Sequence, residues 1–248
     1  LISQALDIKP DYGDAHYNLG NALKGLGKLD DAVHSYRIAL DIKPDDAEAH
    51  NNLGNTLKEL NEVDSSIASY HKALAIKPDY AEAHYNLGNA FKKLDKPNDS
   101  ITSYYKALAI KPDYTEALNN LGAALQELGK LDDAVSHYHK ALAINPDDAE
   151  AHSNLGAALQ ELGELEAAVT SYRKALAIRP DDAETHNKLG SALNSQGYPD
   201  DAIACHQKAL ILKPNFADAH NNLGNALKAL DKLDEALASY QKALAFKP

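Results

Sequence analysis

Residues 45–78 read "DDAEAHNNLGNTLKELNEVDSSIASYHKALAIKP", and related stretches follow one another in register along the whole chain. The pair Leu53–Gly54 has counterparts at 19–20, 87–88, 121–122, 155–156, 189–190 and 223–224. A proline recurs at the same interval of 34 residues, from Pro10 to Pro248. A period of this length is typical of a solenoid, in which each repeat buries its apolar face against its neighbours.

Each repeat is predicted to contain two helices, and the first begins close to a pair of acidic residues. Asp45 precedes Glu48 by three positions, which is the spacing of a capping box at a helix N-terminus. Apolar residues then follow at helical spacing: Ala49, Leu53, Leu57 and Leu60. Neither helix of a repeat can bury such a stripe alone, so the pattern predicts stacking of successive repeats.

The first helix is predicted to end near Leu60, and the residue after it tolerates a left-handed backbone, as helix C-termini often require. That residue and its counterparts are Asn61, Gly27, Asp95, Gly129, Gly163, Gly197 and Asp231. A second helix is predicted from Asp64 to just before Pro78, which cannot continue a helix.

Glycine inside the first helix calls for a packing explanation. Gly20 and its counterparts fall in mid-helix, where glycine is about 1 kcal/mol less favourable than alanine. We expect the second helix to approach closely there, with Ala39 and its counterparts as the small facing surface.

The motif His16-x2-Leu19-Gly20-x2-Leu23 … Ala32-x3-Tyr36 … Pro44 resembles the tetratricopeptide repeat, Trp-x2-Leu-Gly-x2-Tyr … Ala-x3-Phe … Pro. The resemblance implies an all-α fold, a right-handed superhelical α-solenoid of stacked antiparallel helix pairs. It divides residues 11–248 into seven repeats: 11–44, 45–78, 79–112, 113–146, 147–180, 181–214 and 215–248. Residues 1–10 would be the C-terminal half of the second helix of a preceding repeat.

In this family the first helices line a concave groove, so the resemblance also implies which side chains face a ligand. In the second repeat these are Glu48, Asn51, Asn52, Asn55, Lys58 and Glu59. One ladder of asparagines runs down the stack: Asn18, Asn52, Asn86, Asn120, Asn154 and Asn222, with Lys188 in the remaining place. A second ladder comprises Asn21, Asn55, Asn89 and Asn225, and Lys58 and Lys92 belong to a basic one.

An asparagine side chain offers one acceptor and two donors, which match the C=O and N–H of a peptide bond. A row of them could hold an extended peptide by its backbone, and this row resembles the asparagine ladder of O-linked N-acetylglucosamine transferases. General polarity of the groove explains the same residues equally well. Repeats 113–146 and 147–180 differ, because Ala123 and Ala157 replace asparagines and Gln126 and Gln160 replace lysines.

Charge and composition exclude several classes of function. The net charge of −11 disfavours nucleic acid and anionic membrane surfaces as partners, and no apolar run is long enough for membrane insertion. A single cysteine forms no internal disulfide. Six histidines spaced by multiples of 34 residues occupy the family's tryptophan position, so we expect them to pack rather than bind metal. We predict no catalytic site, cofactor or metal, and a cytoplasmic location.

The sequence therefore predicts a protein–protein interaction scaffold that binds an extended peptide or partner segment in its groove, and that is not an enzyme. Two alternatives stay open. The chain could be the substrate-recruiting arm of a larger protein-modifying enzyme such as a glycosyltransferase, since it lacks an initial methionine and polar end repeats. It could also associate end to end with other copies through Leu237 and Leu244.

Overall fold

The structure, a computed structural model, describes residues 12–246 and contains fourteen α-helices and no strand within them, which confirms the all-α prediction. The first helices of the repeats are α1 Gly13–Gly25, α3 Ala47–Glu59, α5 Ala81–Lys93, α7 Thr115–Glu127, α9 Ala149–Glu161, α11 Ala183–Ser195 and α13 Ala217–Ala229. The second helices are α2 Leu29–Ile42, α4 Val63–Ile76, α6 Pro97–Ile110, α8 Leu131–Ile144, α10 Leu165–Ile178, α12 Pro199–Leu212 and α14 Leu233–Phe246. The half-helix predicted over residues 1–10 lies outside the described residues.

The chain divides into two compact units between Ala124 and Leu125. In the first unit α1 packs on α2, α3 on α4 and α5 on α6, and α2 and α4 also pack on the next first helices, α3 and α5. The second unit repeats this arrangement from α8 to α14. Successive first helices also touch each other, as α1 touches α3 and α9 touches α11. Each unit is therefore a helical repeat solenoid whose first helices form one continuous face.

The left-handed residue predicted after each first helix is confirmed in all seven repeats. Asn61 has a φ of 66°, and the other six also have positive φ: Gly27, Asp95, Gly129, Gly163, Gly197 and Asp231. In the second repeat the Asn61 N–H donates to the Lys58 carbonyl, and the Glu62 N–H donates to the Leu57 carbonyl. These bonds satisfy carbonyls that the helix end leaves without a partner.

The predicted helix starts are displaced by one or two residues. The N-cap of α3 is Asp46, not Asp45, because the Asp46 carboxylate accepts the Ala49 N–H at 3.0 Å. Asp148 and Asp182 cap α9 and α11 in the same way. The second helix α4 begins at Val63, so Asp64 lies in its first turn. Its negative charge is stabilised there by the positive end of the helix dipole.

In six repeats the glycine of the first helix lies against the aromatic ring of the second helix, and the prediction that alanine supplies this contact is wrong. A Cβ on Gly54 would lie 2.6 Å from the Tyr70 ring, closer than any real contact. Gly20 meets Tyr36 in the same way. The close approach was expected correctly, but its cause is a buried ring that needs the space of a missing side chain.

Four of the six repeated histidines are buried, as predicted, and each of the four also ties two helices together: His50, His84, His152 and His220. His50 is 7% exposed, and its Nε2–H donates to the Pro44 carbonyl at 3.0 Å. The carbonyl can only accept, so Nε2 carries the proton, and Nδ1 is buried without a hydrogen-bond partner. Burial lowers the pKa of His50 and of His84. The bond links α3 to the chain that leaves α2, at the junction of two repeats.

The sixth repeat has a histidine where the others have the buried tyrosine. His206 is fully buried, its Nδ1–H donates to Asn187 Oδ1 at 2.8 Å, and its Nε2 has no partner. Burial lowers its pKa to about 4. Protonation would place an unpaired charge in the helix interface, so this repeat is a weak point in acid.

Replacement of Gly54 by alanine should destabilise the protein even though alanine is the better helix former. The new methyl group would overlap the Tyr70 ring, and overpacking of this kind costs about 1–3 kcal/mol. The measurement is the urea midpoint of unfolding. Gly25→Ala is the matched control, because nothing lies within 4 Å of a Cβ there and its midpoint should hold or rise. Equal effects of the two substitutions would contradict this explanation of the repeated glycine.

The variant His206→Tyr should be more stable than the wild type, and the difference should grow in acid. The folded pKa of about 4 lies below the unfolded value of about 6.5, so the unfolded chain takes up the proton first. The stabilisation from neutral His206 is complete above pH 6.5 and decreases as the pH falls towards 4. Wild type should lose about 2 kcal/mol more than the variant between pH 7.5 and pH 5. Denaturant titrations at the two pH values test this, and parallel losses would refute it.

Candidate functional site

In each unit the polar side chains of the first helices form a surface, here called the first-helix face of that unit. All thirteen predicted binding residues lie on first helices, and none is fully buried. Asn18, Asn21, Asn225 and Lys92 are exposed, and Asn52, Asn55, Asn86, Asn89, Asn120, Asn154, Asn222, Lys58 and Lys188 are half-buried. In the first unit several of them border a pocket of about 470 Å³. Its lining residues are Tyr17, Glu48, Asn51, Asn52, Asn55, Tyr80, Glu82, Asn86 and Tyr114.

Ladder asparagines donate hydrogen bonds to the preceding repeat. The Asn52 Nδ2 group donates to the Tyr17 hydroxyl at 2.9 Å and to Asn21 Oδ1 at 3.2 Å. Asn120 donates in the same way to Tyr85 and Asn89, at 3.2 and 3.0 Å. In the second unit Asn222 donates to Asn187 Oδ1 and Ser191 Oγ. Each of these amides therefore joins two successive repeats.

These bonds change the chemistry that the ladder offers to a ligand. A side-chain amide has two N–H donors, and in Asn52, Asn120 and Asn222 both point to groups of the protein itself. The Oδ1 atom is left to receive a hydrogen bond. A ligand meets acceptors here, whereas the sequence alone indicated donors and acceptors together.

The second ladder holds the buried tyrosines in place. The Tyr36 hydroxyl donates to Asn21 Oδ1 at 2.6 Å, and three other repeats have the same bond: Tyr70 to Asn55, Tyr104 to Asn89 and Tyr240 to Asn225. Burial raises the pKa of Tyr36 to about 12, with a smaller contribution from Tyr17. These asparagines thus satisfy hydroxyl groups that burial removes from water.

The middle repeats satisfy the same hydroxyl in another way. The Tyr138 and Tyr172 hydroxyls donate to Gln126 Oε1 at 3.2 Å and Gln160 Oε1 at 3.1 Å. Where alanine replaces the second-ladder asparagine, glutamine therefore supplies the acceptor from one helical turn further along. The change of asparagine to alanine and of lysine to glutamine in the same repeat therefore preserves the hydrogen bond of the buried hydroxyl.

The basic ladder is partly engaged by its neighbours. Burial lowers the pKa of Lys58, with nearby Lys24 as the second cause. Lys24 forms an ion pair with Glu59 at 3.1 Å. The Lys93 ammonium donates to the Lys58 carbonyl at 3.4 Å. This part of the face is thus a mixture of paired charges rather than a uniform basic strip.

Sequence reasoning missed the tyrosines of the first unit's face. Tyr85 and Tyr114 have ring centroids 4.9 Å apart, and the Lys77 and Lys111 ammonium groups lie 4.8 and 4.6 Å from the ring centroids of Tyr80 and Tyr114. The signal was present in the sequence: tyrosine recurs at two fixed repeat positions, 12, 80 and 114 for one, and 17 and 85 for the other.

Metal clusters and membrane-spanning helices are both absent from residues 12–246. No group of three or more histidine, cysteine or acidic side chains is arranged there to hold a metal ion. No helix in that range is long and apolar enough to cross a membrane.

Family models of the tetratricopeptide repeat match most of the chain. One model matches residues 21–61, 54–95 and 190–231, a second matches 113–181, and a third matches 81–114 and 217–248. A search of curated proteins finds no match for this chain.

Solved structures of repeat proteins are similar to this one. MamA is 29% identical over 65% of this chain and 94% of its own, with a TM-score of 0.60. YrrB, described as a tetratricopeptide repeat protein with an unusual peptide-binding site, is 24% identical over 74% and 95%, with a TM-score of 0.64. A tetratricopeptide repeat protein from Parabacteroides merdae is 17% identical over 95% and 93%, with a TM-score of 0.75. The last two likenesses show the fold alone.

Replacement of a ladder asparagine by alanine should destabilise the protein, even though alanine has the higher helix propensity. Asn52→Ala breaks two inter-repeat hydrogen bonds, each worth about 0.5–1.5 kcal/mol. Asn18→Ala is the matched control, because Asn18 makes no hydrogen bond to residues 12–246. Unfolding midpoints should fall for Asn52→Ala and hold or rise for Asn18→Ala. A common rise in both variants would show that the bonds do not contribute to stability.

Proposed function

The chain belongs to the tetratricopeptide repeat family, and we propose that its first-helix face binds an extended segment of a protein partner, accepting N–H groups of the ligand at Asn52, Asn120 and Asn222. The repeats indicate a protein-interaction scaffold, and proteins of this family are typically non-catalytic. The structure of YrrB, which has the same fold and is described as having a peptide-binding site, supports the same kind of ligand here.

The observation that carries this proposal is the direction of the ladder hydrogen bonds. Asn52, Asn120 and Asn222 use both amide hydrogens inside the protein, and each retains an oxygen atom without a partner. An unpaired acceptor on a surface is best matched by a donor, and every residue of an extended peptide except proline has a backbone N–H. Because the donors are already fixed in direction by the neighbouring repeat, the acceptors are preorganised before the ligand arrives.

The acidic residues of the first-helix face favour the binding of a neutral or basic peptide over an acidic one. Each first helix carries an acidic residue in its first turn: Asp14, Glu48, Glu82, Glu116, Glu150, Glu184 and Asp218. Each lies at the positive N-terminal end of its helix dipole and stabilises the helix. Together the seven negative charges also repel acidic ligands.

Peptide selection followed by backbone modification tests the proposal. Short synthetic peptides of random sequence are screened against the whole chain, and the strongest binder is resynthesised with one backbone N–H at a time replaced by N–CH₃. Affinity should fall about threefold to tenfold at the contacted positions, because a methylated amide cannot donate. The binder should also lose affinity for Asn52→Ala and retain it for Asn98→Ala, an exposed asparagine of the second helix α6. Insensitivity to methylation and to Asn52→Ala would overturn the proposal.

The two alternatives raised by the sequence stay predictions. Recruitment of substrates to a protein-modifying enzyme would use the same face. End-to-end association would use α14, where Leu237 and Leu244 are 56% and 67% exposed.

A further inference from the structure

The pocket of the first unit differs from the rest of the first-helix face in its aromatic lining. Tyr17, Tyr80 and Tyr114 line it together with the carboxylates of Glu48 and Glu82. Neither carboxylate forms an ion pair within residues 12–246. The pocket therefore combines aromatic rings with two unneutralised negative charges.

Hydrogen bonds around the pocket direct several amide donors away from an occupant. Asn52 gives both amide hydrogens to Tyr17 and Asn21, and Asn86 donates to Asn51 Oδ1 at 3.1 Å. The Asn51 amide donates to the Tyr80 hydroxyl at 3.5 Å. Beside the tyrosine hydroxyls and the Asn55 amide, the pocket offers an occupant two carboxylates, the Asn52 Oδ1 atom and aromatic rings. Such a set suits a cation with N–H donors and disfavours an anion.

One further observation agrees with a cationic occupant. The pKa of Tyr80 is raised to about 12, first by burial and then by the negative charges of Glu82 and Glu48. The two carboxylates thus disfavour another negative charge at the Tyr80 hydroxyl, and the same electrostatic field favours a positive charge in the pocket.

The tyrosines of this lining do not recur in every repeat, and in the seventh repeat Phe216 takes the position of Tyr80. The repeat position of Tyr80 is occupied in the fifth and sixth repeats by Asp148 and Asp182, and that of Tyr17 by Ser153 and Asn187. The acidic position, by contrast, continues as Glu150 and Glu184. Within the first unit, such a pocket can fix the register of a ligand that the repeated asparagines would accept in several registers.

We propose that this pocket, lined by Tyr17, Tyr80, Tyr114, Glu48 and Glu82, binds an arginine side chain of the bound peptide and so sets its register. Arginine fits better than lysine because its planar guanidinium stacks on an aromatic ring while its N–H groups reach carboxylate and amide oxygens. This inference rests on the proposed function, since it names one side chain of the peptide that the face would hold.

The test compares a selected peptide that contains arginine with the same peptide in which citrulline replaces it, a neutral residue of nearly the same shape. Wild type should bind the arginine form about tenfold more tightly, and added salt should reduce the difference. The double variant Glu48→Gln, Glu82→Gln should bind the two forms alike. The double variant Glu150→Gln, Glu184→Gln is the matched control, because it removes two charges at the same repeat position where Asp148 and Asp182 replace the tyrosine, and it should keep the preference.

The outcomes separate this inference from the function on which it rests. Equal affinity of wild type for both peptides, with sensitivity to backbone methylation retained, would overturn the arginine site and leave peptide binding standing. A preference for arginine that persists in the Glu48→Gln, Glu82→Gln variant would place the arginine elsewhere and also overturn the site. Loss of the preference in the Glu48→Gln, Glu82→Gln variant, with the preference kept in the control variant, supports the arginine site. A screen that yields no peptide dependent on Asn52 would overturn both proposals.

Discussion

The contact on which the rest of the structure depends is the aromatic ring of the second helix against the glycine of the first, which six repeats show. The ring occupies the space of the missing side chain, and its hydroxyl must then find an acceptor inside the protein. An asparagine or a glutamine of the first helix supplies that acceptor in six of the seven repeats. The same asparagine oxygen accepts a ladder asparagine from the next repeat. One packing constraint thus extends through a chain of hydrogen bonds to the surface.

Much of the fold could be predicted because it depends on local residue chemistry repeated seven times. The left-handed position after each first helix tolerates few residue types, so asparagine, aspartate and glycine there identify it. The helix starts were less certain, because Asp45 and Asp46 are adjacent and both are good caps. The partner of the glycine could not be predicted, since helical spacing within one element does not say which side chain of another element faces it.

The candidate face was predicted in position but not in chemistry. The polar stripe of one helix places the asparagines on the surface, and this follows from helical periodicity. The use of their amide hydrogens depends on groups 31 and 35 residues away along the chain, which approach only when repeats stack. A poor helix former recurs at Asn52 and its counterparts because it stabilises the junction between repeats, and a role in binding is additional to that one.

The central claim is that the ladder asparagines are fixed by hydrogen bonds between repeats before any ligand binds. Hydrogen exchange of the side-chain amide protons, measured by NMR on the free protein, tests it most directly. Both Nδ2 protons of Asn52 and of Asn120 should exchange much more slowly than those of exposed Asn18. Equally fast exchange at all three residues would show that the amides are free in solution and would contradict the account.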